Sequence, residues 1–234
     1  MEKIEKPETN EILVAGDEQA GLYGFFARNR RRLFISGIVA LVLLAGFVAA
    51  LLVRDKMIKD ATAKLDVLAE RYDEALNVMT ADGPLGADAL LDDLTAFGKS
   101  AWGYPAARAW FMAADIYHER QDWENAREAW GMAAAKGAAT HLAPVSLFNA
   151  AVAAEEAGDP DAALENYKRA FGYADFPEAA RAQFAAGRIE EKKGNTEAAV
   201  AAYNAVIDKW PQDTDWTNLA HSRILALELA ETGK

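Results

Sequence analysis

A pattern that recurs three times along the chain restricts this fold more than any other feature. One copy runs Trp110, Ala113, Ala114, Tyr117, a turn at Gln121-Asp122-Trp123, then Ala126, Trp130 and Ala133. A second runs Leu147, Ala150, Ala151, Ala154, Gly158-Asp159-Pro160, then Ala163, Tyr167 and Ala170. The third runs Gln183, Ala186, Gly187, Glu190, Gly194-Asn195-Thr196, then Ala199, Tyr203 and Val206, and ends at Pro211. Corresponding positions lie 37 and then 36 residues apart. Each first half places a large residue and a small pair on one stripe of a helix, at i, i+3, i+4 and i+7. Each second half presents small, aromatic and small residues at i, i+4 and i+7, and the polar turn between the halves breaks the chain. The pattern predicts helical hairpins that pack closely at their small residues. A single hairpin cannot bury its own apolar face, so the copies are expected to stack.

The flanks read as end pieces. Residues 57–80 predict a long helix and Asp88 to Phe97 its partner, a degenerate first hairpin broken at Gly83-Pro84. At the other end, Asp213 or Thr214 is placed to cap a last helix through Leu227, with Trp216, Leu219 and Ile224 on its inner face. Pro144 and Pro177 suit the first turns of their helices, where a missing N–H does no harm.

Leu33 to Val53 is a run of 21 residues without a charge. A helix of that length spans roughly 30 Å, the thickness of a bilayer's hydrocarbon core. The run is longer than a signal peptide's apolar region and follows a 32-residue leader, with no clear small-x-small cleavage site before Arg54. It is expected to be a retained anchor. Arg28, Arg30, Arg31 and Arg32 crowd its front edge, whereas Arg54, Lys56, Lys59 and Lys64 behind it are more dispersed. This favours a cytoplasmic N-terminus and a repeat domain on the far side. In the leader, Leu22, Phe25 and Phe26 have the spacing of a short amphipathic turn. The expected division is thus a leader (1–32), a transmembrane helix (33–53), a stalk with the degenerate hairpin (54–100), three repeats (101–211) and a capping helix (212–234).

Composition narrows the functions. Residues 54–234 carry 19 Lys/Arg against 30 Asp/Glu, and so hold the whole net charge of −11. A domain this acidic repels a phosphate backbone, so no nucleic-acid partner is expected. With no cysteine, disulfides, thiolate metal sites and a cysteine nucleophile are excluded. None of the three histidines, His118, His141 and His221, stands in a helical metal-ligand pattern such as Glu-x-x-His. Phosphate-binding glycine loops and nucleophile elbows are absent as well. The acidic pairs Glu155-Glu156 and Glu190-Glu191 read as solvated helix faces. Neither catalysis, a cofactor nor a metal is expected.

The repeat resembles the tetratricopeptide family, whose signature is Trp-x2-Leu-Gly-x2-Tyr, then Ala-x3-Phe, Ala and Pro. Trp110, Tyr117, Ala126, Trp130 and Ala133 match it in the first copy, and Gly187, Ala199, Tyr203 and Pro211 in the third. The copies depart from it in a longer period, in Leu147 and Gln183 at the tryptophan position and in Glu190 at the tyrosine position. The resemblance implies an all-α solenoid whose first helices line a concave groove. Its positions there are Arg108, Phe111, Asp115 and His118, then Val145, Phe148, Val152 and Glu155, then Arg181, Phe184, Arg188 and Glu191. Phenylalanine recurs at one groove position, as Phe111, Phe148 and Phe184, suiting an extended polypeptide; the same position also serves simply to pack neighbouring hairpins.

Phe25-Phe26, Arg30 to Arg32, the apolar span, Tyr72-x-x-Ala75 and the repeat together look like the ancillary subunit of the bacterial SecYEG translocon. That resemblance implies a non-enzymatic inner-membrane protein with a periplasmic repeat domain. It would associate with translocon subunits, periplasmic chaperones and exported clients. Two other readings stay open: a scaffold in another envelope assembly, and a regulatory adaptor acting through its cytoplasmic leader.

Overall fold

The computed structural model describes residues 13–80, 83–84 and 86–232, and the chain divides into two units, 1–57 and 58–234. Helix α1 (Leu13–Leu76) contributes to both. In the first unit its apolar stretch leaves its side chains bare, with Phe34, Leu43 and Leu52 each more than two-thirds exposed. By length and composition it is the one helix among the described residues able to cross a membrane. Residues 22–26 are helical and Phe25 is exposed, while the side chains of Leu22 and Phe26 lie outside the described residues, as does the leader before Leu13.

The second unit begins with the last turns of α1. A two-residue antiparallel ladder, Met79–Thr80 (β1) against Gly83–Pro84 (β2), then turns the chain. Eight further helices follow among the described residues: α2 (Ala87–Ser100), α3 (Gly103–Glu119), α4 (Trp123–Lys136), α5 (Leu142–Glu156), α6 (Pro160–Phe171), α7 (Ala179–Lys192), α8 (Thr196–Lys209) and α9 (Thr214–Thr232). Consecutive helices pack on one another as antiparallel hairpins, α3 with α4, α5 with α6 and α7 with α8, as the repeat predicts. The all-α, stacked-hairpin expectation therefore holds.

The three hairpin turns share one backbone geometry. The N–H of Asp122, Asp159 and Asn195 reaches back to the carbonyls of Tyr117, Ala154 and Glu190, at 2.9, 2.8 and 2.9 Å. This closure requires a left-handed residue just before it. Gly158 and Gly194 fill that place with φ of 78° and 79°, and Gln121 does so without being a glycine, at φ 58°. Asp122 and Asp159 then cap the next helices, accepting from the N–H of Asn125 and Ala162 at 3.4 and 3.0 Å.

Small residues set the packing distances. Ala106, Ala113, Ala150, Ala154, Ala163 and Ala199 are essentially inaccessible. A Cβ on Gly187 would stand 2.8 Å from the Tyr203 ring, and one on Gly98 would stand 2.6 Å from the Trp110 indole nitrogen. These glycines let α8 and α3 approach their neighbours more closely than any side chain permits. The degenerate hairpin has a real core: Leu65, Leu68, Tyr72 and Ala75 of α1 bury against Leu90, Leu91 and Leu94 of α2, and against Met112 and Ile116 of α3.

Three local expectations need adjustment. Leu219 is 46% exposed and faces away from the core; Trp216, Ile224 and Leu227 form the inner face of α9 with Ala220. Pro177 precedes α7 by two residues instead of entering its first turn. Glu155 and Glu191 are largely turned from solvent, their side chains 16% and 19% exposed, for reasons given below.

Candidate functional site

Arg108, Phe111, Asp115 and His118 lie along one side of α3. The Arg108 guanidinium sits over the Phe111 ring, 5.7 Å from its centroid. Asp115 turns inward and accepts a hydrogen bond from the Tyr72 hydroxyl of α1 at 2.9 Å. Burial pushes its carboxyl up to about 6, against the Tyr72 hydrogen bond and the nearby Arg108 charge, which both favour the ionised form. The same burial, with the carboxylate beside it, raises the Tyr72 hydroxyl. His118 packs edge-on against Trp123, 5.2 Å between centroids, and leans on Trp130 at 5.5 Å.

In the later copies, one arrangement appears twice. Glu155, at the end of α5, accepts from the Tyr167 hydroxyl of α6 at 2.8 Å and, through both oxygens, from Arg188 of α7 at 2.6 and 2.7 Å. Glu191 accepts from Tyr203 of α8 at 2.8 Å and from both nitrogens of the Arg223 fork on α9. Each carboxylate thus ties its own second helix to the first helix of the next hairpin. Burial tends to raise Glu191, but the hydrogen bonds from Arg223 and Tyr203 outweigh it and hold the carboxyl below its usual range. Tyr167 and Tyr203 are raised, mainly by burial.

The three phenylalanines differ in surroundings. Phe148 is 7% exposed, between Tyr167 and Phe176 at 5.4 and 6.1 Å, with Arg181 laid over its ring at 4.8 Å. Phe184 packs between Tyr203 and Trp216 at 5.2 and 5.4 Å and keeps a partly exposed edge. Phe111 is partly buried against the core around Trp110 and Trp130. Val145 and Val152 are partly buried beside the Phe148 core.

Asp115 and His118 turn onto Tyr72, Trp123 and Trp130, and the other ten positions sort by what they touch. Glu155, Arg188 and Glu191 spend their charge on inter-repeat bonds, and Phe148 and Phe184 lie largely within the packing. Arg108 and the exposed Arg181 offer two cations stacked on the Phe111 and Phe148 rings, Arg181 also pairing with Glu178 at 3.4 Å, with the partly exposed Val145 and Val152 beside Phe148. Such planar guanidinium donors on an apolar floor can take backbone carbonyls or a carboxylate of a bound polypeptide. The sequence marked Tyr72, Tyr167 and Tyr203 as parts of the fold but not as partners of the carboxylates, and it did not mark Arg223. The signal for two of them was available, since Tyr167 and Tyr203 each follow their glutamate by 12 residues.

Residues 148–214, which cover α6 to α8 and most of α5, match the family described as Tetratricopeptide repeat. The chain is similar to a "TPR repeat-containing protein" of Treponema pallidum (strain Nichols), 33% identical over 221 residues that cover 87% of this chain and 92% of that protein. The chain belongs to the tetratricopeptide-repeat proteins. It carries the protein–protein interaction module of that family, whose members are typically non-enzymatic.

Proposed function

We propose that this protein is an ancillary, translocon-associated subunit, held in the inner membrane by residues 33–53, that assists exported proteins on the periplasmic side. In this reading the N-terminus is cytoplasmic, and the first-helix face around Arg108, Phe111 and Arg181 receives segments of clients or chaperones. The observation that carries it is the joining of an apolar, side-chain-bare helical stretch to tetratricopeptide hairpins in one chain. The arginines at 28 and 30–32, crowded before that stretch, support the orientation.

Co-purification of the full-length protein in mild detergent, with partners identified by mass spectrometry, tests the reading. Translocon subunits and periplasmic chaperones are expected. An unrelated envelope complex would replace this reading with that of a scaffold, and only cytoplasmic partners would replace it with that of an adaptor acting through the leader. In the same experiment Arg108→Glu with Arg181→Glu should release clients while translocon subunits stay bound.

A further inference from the structure

The last helix has two apolar faces, and only one is covered. Trp216, Ala220, Ile224 and Leu227 face inward on α7 and α8. On the opposite side Leu219, Leu225 and Leu229 are 46%, 56% and 62% exposed. Ser222 and Ala226 lie between them, also exposed, and the Ser222 hydroxyl is satisfied by the Asn218 carbonyl at 2.9 Å. A solenoid's terminal helix ordinarily turns a polar face outward.

The repeat itself says what belongs on this face. Arg223 bonds Glu191 as Arg188 bonds Glu155, so α9 sits on α7 as α7 sits on α5. In that register Ser222 takes the place of Gly187, against which the Tyr203 ring of α8 is seated. Leu219 takes the place of Phe184, which also packs on Tyr203. The bare face of α9 is therefore the continuation of the face that α7 covers with its own second helix, and α9 has no such helix among the described residues. In the hairpins that seat is filled by a helix with a buried alanine, an aromatic four residues on and a small residue three beyond, as in Ala163, Tyr167, Ala170 and Ala199, Tyr203, Val206.

We propose that this face of α9 is a docking seat for one amphipathic helix of a partner protein, carrying a small-x3-aromatic-x2-small stripe. The chemistry of its aromatic follows from the register. The hydroxyls of Tyr167 and Tyr203 end on Glu155 and Glu191, whereas Ala226 stands in the corresponding place on α9 and offers no acceptor. The seat selects phenylalanine over tyrosine there, because a buried hydroxyl without a partner is costly.

The test uses the full-length protein in detergent and a fluorescent helical peptide of residues 196–209 with Tyr203→Phe, stapled through positions 197 and 201, both exposed on α8. One peptide is expected to bind per chain, with affinity falling at least about tenfold for Leu225→Glu with Leu229→Glu, and likewise for Ser222→Trp. The peptide keeping tyrosine should bind more weakly than the phenylalanine form. All three substituted positions are exposed, so circular dichroism should confirm unchanged helicity. Failure of the wild type to bind the peptide, or equal binding by the variants, overturns the proposal. A two-chain mass by light scattering that reverts to one chain in L225E/L229E also overturns it, in favour of self-pairing through α9.

Discussion

At Gly187, a methyl group is enough to disturb the fold. The Cβ of an alanine would meet Tyr203 Cε1 at 2.8 Å and Cδ1 at 3.0 Å, and that ring is wholly buried with its hydroxyl held by Glu191. Alanine improves helix propensity by up to about 1 kcal/mol, but displacing a packed aromatic outweighs this. Gly187→Ala is expected to lower stability by about 1–2 kcal/mol, read as a drop in melting temperature. Phe148→Ala removes a ring enclosed by Tyr167 and Phe176 and should cost about 3 kcal/mol. An alanine substitution there tests folding before it tests binding. Asp115 carries a pH signature. Its folded carboxyl is raised to about 6 from 3.8, so between those values the unfolded chain has released a proton that the folded one retains. Stability due to this group therefore falls as pH rises through that window and stays reduced above it. Asp115→Asn keeps an acceptor for Tyr72 and is expected to gain about 1–3 kcal/mol at pH 7. The gain should disappear below about pH 4, as followed by denaturant unfolding across pH.

Among the elements, the hairpin turns and the carboxylate ties are the informative units. All three turns demand a left-handed residue, and the first supplies Gln121 where the others supply glycine. Gln121→Gly should relieve that strain and stabilise the protein by about 0.5–1 kcal/mol, measured as a raised melting temperature. Glu155 joins three helices, and its loss strands the buried Tyr167 hydroxyl as well as Arg188. Glu155→Ala is expected to cost about 2–3 kcal/mol, with part recovered when Tyr167→Phe is added; a double-mutant cycle would show coupling of about 1 kcal/mol. The outer ties, Arg120 with Asp88, Arg127 with Asp159 and Lys193 with Asp161, join successive hairpins at more exposed positions. Each contributes little on its own.

For the whole molecule, the absence of cysteine is convenient, because single cysteines report topology without background. In the proposed orientation, Ser100→Cys reacts with a membrane-impermeant maleimide in intact spheroplasts, and Asn10→Cys reacts only after lysis. The reverse pattern would place the repeats in the cytoplasm and remove the periplasmic reading.

Local pattern made much of the fold readable in advance. The recurrence at 37 and 36 residues, the turns and the uncharged run each depend on neighbours within a few helical turns, so helices, breaks and hairpin pairing follow from spacing alone. The resemblance also located the first-helix positions, but spacing could not tell which of them remain accessible. Whether Glu155 faces solvent or bridges Tyr167 and Arg188 depends on where a helix 33 residues further along comes to rest. Whether Asp115 is hydrated depends on Tyr72, 43 residues earlier. The two faces of α9 show the same limit: both are apolar in the sequence, and only stacking on α7 and α8 decides that Leu227 is inside and Leu219 outside. Secondary structure here is set by contacts close in the chain, whereas burial and charge pairing are set by contacts made when hairpins stack.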